Sequence, residues 1–446
     1  MMTDILAVIT IMAVLLFGAV EVWSGMAMLF LVFTVGLIWV VRKEYTQYQT
    51  TGPDKLLLIT GLCFILYTII QLIPLPLFLL KILSRHTFDI HNFYSFDESM
   101  FAQISLYPYK SFLESIQFFA FYIIFAISLH NFKKRAILIR TLYILLIFGF
   151  ILSLFAVIQK ATWNDKIYWF RELTLGGTPF GPFVNRNHFA GFIGMLIPLG
   201  IGLSLVEQMR SKKILFGFMT VIMTVSLFFS LSRGGIMSFV AGFGLFSILV
   251  IQSKIQQKKI LAIALFFLTL SAYLFYLGID PIVDRFYQTD ITKEDRLIVW
   301  SASLTAIKDF WLTGSGLGTF LDLFPLYQPA EIKSIYDHAH NDYLEVILET
   351  GVIGFIIMIM FIAILIRTII KSNLQGRTGI LLIASVSSAF TMCIHSITDF
   401  NLHILSNALC FSMVLGMVIA LADVNTERGR HPSTRTSSEP QSNSSG

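Results

Sequence analysis

The sequence predicts an all-α polytopic membrane protein with about twelve transmembrane helices and one large loop on the outer side of the membrane. Composition is the first reason, because the 446 residues are 56% apolar and only 13% charged, about half the charged share of a soluble domain. The second is run length: the apolar residues form runs of roughly 17–23 residues, enough to cross a hydrocarbon core of about 30 Å. The third is that basic residues concentrate in alternate loops.

Twelve apolar runs give the predicted spans. The first run is interpreted as a retained helix, because Met1–Asp4 lacks the basic stretch of a cleaved signal peptide. The third run contains Ile73-Pro74-Leu75-Pro76, and these prolines should kink or end its helix. The predicted spans lie near 5–20, 23–41, 56–80, 112–130, 138–158, 187–206, 214–231, 235–252, 260–278, 344–366, 379–396 and 404–421.

The distribution of lysine and arginine predicts the orientation. One set of short loops is basic and carries few acids, which places these loops and both chain termini in the cytoplasm. The net charge of +5 is explained by this orientation rather than by nucleic-acid binding, so no nucleic-acid partner is expected. The opposite side then receives four long or polar segments, at 81–111, 159–186, 279–343 and 397–403.

The largest outer loop, 279–343, should contain a helix of its own. Thr292–Asp295 resembles a capping box, and apolar residues then recur at helical spacing. We predict an amphipathic helix over 293–311 that lies along the membrane surface. The apolar residues that predict it are Leu297, Trp300, Leu304, Ile307 and Trp311.

The end of the chain differs in composition from the rest. Residues 425–446 are rich in Ser, Thr, Arg and Pro, which is typical of a disordered segment. The predicted organisation is therefore one membrane domain, 1–424, followed by a cytoplasmic tail, 425–446.

Two histidines stand at the end of the large outer loop, in Asp337-His338-Ala339-His340-Asn341-Asp342-Tyr343. A neutral imidazole near pH 7 can remove a proton from an attacking hydroxyl, so one of them is a candidate general base. Two other interpretations stay open: a metal site, since His-x-His beside Asp can bind zinc, and polar packing at a helix start.

Acidic residues follow directly. Asp342 has the position of a helix cap, with Glu345 three residues later. Glu345 and Glu349 lie one turn apart, on the helix face that also carries Asn341 and Asp342. Carboxylates in the first turns of a span should face a cavity rather than lipid.

Two arginines on the same side are candidate phosphate ligands. Arg233 stands in Ser232-Arg233-Gly234-Gly235, at a tight turn between two spans, and Arg296 opens the amphipathic helix. A guanidinium group can donate two hydrogen bonds at once to phosphate oxygens. The alternatives are that Arg233 extends to the membrane interface and that Arg296 is a solvated or acid-paired surface charge.

Two further polar segments could contribute to the same cavity. In Asn185-Arg186-Asn187-His188, Asn187 either binds sugar hydroxyls or caps the sixth span, and capping is favoured. In the last outer loop, Asp399, Asn401 and His403 either line the cavity or are solvated loop residues.

Together these stretches resemble the O-antigen ligase family, which includes polysaccharide polymerases of the Wzy type. The strongest part of the resemblance is His340-Asn341, followed after nine residues by Gly351-Val-Ile-Gly354. The likeness is clearest over 180–421. It also rests on Ser232–Gly235, on Asp295-Arg296 with Trp300, on Gly314-Ser-Gly-Leu-Gly318 and on His395-Ser-Ile-Thr-Asp399-Phe-Asn-Leu-His403.

The resemblance implies a metal-independent, inverting glycosyltransferase of the GT-C type that needs no cofactor. The donor in this family is a glycan on undecaprenyl diphosphate, and the acceptor is lipid A-core in ligases or another lipid-linked repeat in polymerases. The family works at the periplasmic face of the bacterial inner membrane, among membrane lipids, in lipopolysaccharide biosynthesis. His340 matches its catalytic histidine, and Arg233 and Arg296 match its diphosphate-binding arginines, whereas His338 lies outside the signature position.

Four functions remain open from the sequence. O-antigen ligase comes first and Wzy-type polymerase second, because the motif is common to both. A protein O-oligosaccharyltransferase is a third enzyme class, disfavoured here because no large C-terminal soluble domain is visible. A transporter of lipid-linked sugars also fits twelve spans, but transporters more often show paired repeats and charges at the midplane.

Overall fold

The computed structural model describes residues 2–44, 50–94, 100–173, 176–253 and 295–430. Within these residues, ten helices are long and apolar enough to cross a membrane, which confirms the predicted all-α polytopic membrane fold. The first helix is apolar but shorter. The predicted span 260–278 lies outside the described residues. The helices are α1 Met2–Leu15, α2 Val22–Val41, α3 Gly52–Ile70, α4 Leu77–Leu83, α5 Arg85–Tyr94, α6 Pro108–Asn131, α7 Arg135–Ala161, α8 Arg186–Val206, α9 Arg210–Phe229, α10 Arg233–Gln252, α11 Asp295–Asp309, α12 Phe320–Leu323, α13 Asp342–Lys371, α14 Gly376–His395 and α15 Leu405–Arg430.

Three helices form the centre of the bundle. Most of α8, α14 and α15 is buried inside the protein, whereas only a small part of α13 is buried. Small residues allow the central helices to approach closely. A Cβ atom at Gly202 of α8 would collide with Ala384 of α14, for example. The ends of these central helices are therefore held firmly in place.

The prolines of the third predicted span end its helix, as expected. Helix α3 stops at Ile70, and Leu75–Pro76 forms a short strand, β1, before α4 begins. Strand β1 pairs antiparallel with β2, Phe101–Ala102. A second hairpin pairs β3, Lys166–Ile167, with β4, Arg171–Glu172.

Helix α13 is interrupted at Gly351, where the backbone has φ 61° and ψ −169°. The glycine segment Gly314–Gly318 lies against this interruption. The backbone N–H of Ser315 donates to the carbonyl of Leu348 at 3.0 Å, and Val352 donates to Trp311 at 2.8 Å. These bonds satisfy backbone groups that the broken helix leaves open.

Helix α11 confirms that the segment predicted as the largest outer loop contains a helix. The face of α11 that packs against the protein, however, is not the face that the spacing predicted. Its buried side chains include Val299, Ala302 and Ala306. Leu297 and Leu304 of the predicted stripe are exposed instead. The helix thus carries a second apolar face, and contact of the exposed face with the membrane surface stays a prediction. Residues 292–294, which belong to the predicted capping box, lie outside the described residues.

The last helix also extends beyond the predicted domain boundary. Helix α15 continues to Arg430, so residues 425–430 are helical rather than part of a disordered tail. Residues 431–446 lie outside the described residues.

Candidate active site

A polar cavity of about 60 Å³ lies where several helix ends meet. Helices α8 and α10 begin there, and α14 ends there. The cavity has room for a few water molecules or one small anion. It is lined by Arg186, Asn187, Leu231, Arg233, Gly234, Arg296, His395, Thr398 and Asp399. We call this cavity the arginine pocket.

The two predicted arginines therefore line one pocket, although they are far apart in sequence. Ser232 caps α10: its Oγ accepts the N–H of Gly235 at 3.2 Å, which fixes Arg233 as the first helical residue. The guanidinium of Arg296 donates to the carbonyl oxygen of Thr398 at 2.7 Å. Arg296 is thus bonded within the protein rather than purely solvated, and Arg233 lines the same pocket.

The start of α8 corrects the predicted role of Asn187. The side chain of Asn185, not of Asn187, caps the helix by accepting the N–H of Asn187 at 2.9 Å. The Oδ1 of Asn187 accepts a hydrogen bond from the Oγ of Ser232 at 2.7 Å. Asn187 therefore links the start of α8 to the start of α10 at the wall of the pocket.

His340 has an unusual backbone conformation, with φ 51°. A non-glycine residue in this left-handed region costs free energy, and such residues concentrate at functional sites. Neighbouring contacts hold it: the indole N–H of Trp300 donates to the carbonyl of Ala339 at 2.9 Å. Asn341 then caps α13 by accepting from the N–H groups of Tyr343 and Leu344, which corrects the predicted cap, Asp342, by one residue.

His340 contacts Asp399 across the site. The Nδ1 of His340 lies 3.3 Å from Oδ1 of Asp399, and the N–H of Phe400 donates to the same oxygen at 2.9 Å. Burial alone would raise the pKa of Asp399, but the hydrogen bond with His340 and the neighbouring imidazoles of His188 and His395 lower it below its usual value. Asp399 is thus a carboxylate that meets the imidazole of His340 at Nδ1 and can fix its orientation.

Phe400 is a residue that sequence reasoning missed. Its ring packs edge-on against the imidazoles of His188 and His340, with centroids 4.9 and 4.8 Å apart, and stacks on His338 at 4.4 Å. It stands next to Asp399 in the predicted polar loop, and as an apolar residue it was not considered as a candidate site residue. Its contacts limit the positions that His340 can take.

His338 belongs to a separate group, which we call the His338 cluster: His338, Glu345 and His403. The Nδ1 of His338 lies 2.7 Å from Oε1 of Glu345, and Nε2 of His403 lies 3.4 Å from the same oxygen. Burial alone would lower the pKa of His338, but the carboxylate of Glu345 raises it to about 9. Burial lowers the pKa of His403 to about 4. His338 is therefore a cation at neutral pH and has no lone pair available for a general base.

The His338 cluster also bears on the metal interpretation. The sequence suggested His-x-His beside Asp as the ligands, whereas the structure groups His338 with Glu345 and with His403 from the last outer loop. Ligand atoms of the three side chains all lie within 4.8 Å of one another. Two imidazoles and a carboxylate could hold zinc, and a buried ion pair between His338 and Glu345 accounts for the same arrangement.

The other acidic and amide candidates take different places. The carboxylate of Glu349 accepts the backbone N–H of Phe320 at 3.0 Å, so it supports the glycine segment rather than lining the arginine pocket. The Oδ2 of Asp342 lies 3.3 Å from the N–H of Leu402. Asn401 is fully buried. These three residues form the supporting framework of the site.

Residues 218–359 match the family model described as O-antigen ligase. This segment contains Arg233, Arg296 and His340, so the match confirms the resemblance noted from the sequence. The chain matches no curated protein.

Proposed function

We propose that this chain, as a member of the O-antigen ligase family, transfers a glycan from undecaprenyl diphosphate to an acceptor hydroxyl. The reaction takes place at the periplasmic side of the bacterial inner membrane, with both chain termini in the cytoplasm. One observation carries the proposal: Asp399, which contacts His340, also lines the arginine pocket. A base and a site for an anionic leaving group therefore adjoin each other.

The arginine pocket is suited to the diphosphate of the donor. Arg186, Arg233 and Arg296 supply three guanidinium groups, whose planar forks match phosphate oxygens. The N-termini of α8 and α10 open at the same place, and helix N-termini favour anions. This positive field stabilises the charge that develops on the leaving diphosphate, so the proposed displacement needs no metal ion.

His340 supplies the base. Its Nε2 takes the proton of the acceptor hydroxyl while the oxygen bonds to the anomeric carbon of the donor glycan. The bond between this carbon and the diphosphate oxygen breaks, and its electron pair leaves with undecaprenyl diphosphate. The proton stays on the imidazole, where Asp399 stabilises the cation. A single displacement of this kind inverts the anomeric centre.

The acceptor that we favour is lipid A-core, which makes the protein an O-antigen ligase. A polymerase of the Wzy type is the alternative, because the same pocket and base serve a lipid-linked acceptor equally well. A protein acceptor is the third choice. Deletion distinguishes the first two: loss of a ligase leaves unattached lipid-linked polymer, whereas loss of a polymerase leaves single repeats.

The direct test is reconstitution of the purified protein with a defined undecaprenyl-diphosphate glycan and each acceptor in turn. We expect transfer by the wild type and none by His340→Ala, with the variant still folded and inserted. Wild-type product levels from His340→Ala would remove the base from the mechanism. Movement of the lipid-linked glycan across the bilayer without glycosyl transfer would instead indicate a transporter.

A further inference from the structure

The arginine pocket contains a buried histidine whose ring nitrogens form no hydrogen bond with any described residue. His395 is the last residue of α14 and is only 1% exposed. Among the described residues, neither Nδ1 nor Nε2 of His395 has a hydrogen-bond partner. A buried polar group without a partner is costly, and native proteins contain few of them. The position of His395 therefore requires an explanation.

The surroundings of His395 indicate the chemistry of the missing partner. The same pocket is lined by Arg186, Arg233 and Arg296, so its field favours an anion. Gly234 leaves room for the imidazole: a Cβ there would stand 3.2 Å from Nε2 of His395. The imidazole thus reaches the wall of the pocket at the start of α10, where an anion would also meet the backbone N–H groups of the helix.

A comparison within the site separates His395 from its neighbour His188. The Nε2 of His188 also has no hydrogen-bond partner within the described part of the chain. It stands 4.0 Å from Oδ1 of Asp399, however, so a carboxylate already faces it. His395 lines the pocket together with three guanidinium groups and one carboxylate, that of Asp399, and neither of its ring nitrogens forms a hydrogen bond with this carboxylate. In a pocket with this excess of positive charge, an N–H donor is matched by a ligand that accepts hydrogen bonds and carries negative charge.

We propose that His395 donates a hydrogen bond from its ring to a phosphate oxygen of the undecaprenyl-diphosphate donor. This inference rests on the proposed function and adds to it a diphosphate ligand other than the arginines. His395 transfers no proton in this role. As the bond between the anomeric carbon and the phosphate oxygen breaks, the electron pair moves onto the diphosphate, and the N–H of His395 meets part of that charge.

The test measures the affinity of the full-length protein in lipid nanodiscs for undecaprenyl diphosphate. We expect His395→Ala to weaken binding roughly 10- to 100-fold, the range for a hydrogen bond to a charged group. His395→Gln should recover part of the affinity, because its amide can donate, and His395→Met should not. The ³¹P signal of the bound diphosphate should shift in the Ala and Met variants.

A matched control comes from His130, a buried histidine outside the site. His130 is 5% exposed, and its Nδ1 lies 2.7 Å from the carbonyl of Ala126 in the same helix. His130→Gln should bind undecaprenyl diphosphate as the wild type does. If His395→Met and His395→Gln both bind within twofold of the wild type while Arg296→Ala does not, the role of His395 is refuted and the proposed function stands. If Arg296→Ala and Arg233→Ala also bind normally, the proposed function itself fails.

Discussion

The contact between His340 and Asp399 makes a specific prediction for Asp399→Asn. Asp399 is 1% exposed, and asparagine has nearly the same size, so the substitution fits the same space but removes the charge. The same oxygen of Asp399 accepts the backbone N–H of Phe400, so the amide oxygen should keep this place and the bond to Nδ1 of His340. A neutral amide, however, stabilises the imidazolium less than a carboxylate does, and this cation forms when His340 takes the proton of the acceptor hydroxyl.

The size of the effect follows from the geometry. General-base catalysis contributes about 10²- to 10⁴-fold. The distance from Nδ1 of His340 to Oδ1 of Asp399 is 3.3 Å, longer than a strong charge-assisted hydrogen bond. We therefore expect kcat to fall about 10²-fold, near the lower end. Donor affinity should stay the same or rise, because the substitution removes a negative charge from the arginine pocket.

The assay is glycosyl transfer by the reconstituted protein, with donor binding measured separately. His340→Ala and the double variant with Asp399→Asn provide the controls. If Asp399 acts through His340, the double variant loses no more activity than His340→Ala alone. Additive losses, or a loss of donor affinity in Asp399→Asn with unchanged kcat, would refute the assigned role.

Three further predictions concern neighbouring groups. Arg296→Lys should weaken binding of undecaprenyl diphosphate about tenfold or more while leaving the protein folded. A guanidinium can bond Thr398 and a phosphate oxygen at the same time, whereas a lysine ammonium cannot do both. Normal affinity would contradict this prediction. Phe400→Ala should lower kcat more than it lowers the affinity for the donor, because the ring holds His340 in place. Phe400→Leu should lower kcat less than Phe400→Ala does. Equally small effects of both substitutions on kcat would exclude the positioning role. Chelation with EDTA should leave activity and Tm unchanged if the His338 cluster is an ion pair, whereas a loss restored by zinc would assign it to a metal ion.

Local signals in the sequence predicted much of the fold. Run length identified the spans, and the prolines of Ile73–Pro76 predicted the end of α3, which comes at Ile70. The polar residues before α13 predicted its start correctly to within one residue. The identity of a cap was harder, because Asn185 and Asn187 at one helix start, and Asn341 and Asp342 at another, have similar capping propensities.

The site was less predictable because its geometry depends on contacts between distant parts of the chain. Arg233, Arg296 and His340 were found because each stands in a recognisable polar motif. His395 and Phe400 stand in a stretch that carries part of the family resemblance, but neither was singled out as a site residue, because His395 ends an apolar helix and Phe400 is an apolar residue in a polar loop. His403 was considered, but its contact with Glu345 could not be derived from spacing. Only the packing of α14 and the last outer loop against the start of α13 brings these groups together.

The last outer loop gives the two histidines of the His-x-His motif different chemistry. The backbone is left-handed at His340, and the two rings meet different carboxylates. Glu345 pairs with His338 and keeps it charged, whereas Asp399 faces His340 from the side of the arginine pocket. Phe400 packs against both rings. The proposed base is therefore His340, because the stronger ion pair is already formed at His338. Exchanging the two carboxylate contacts would remove this proposed base without removing either histidine.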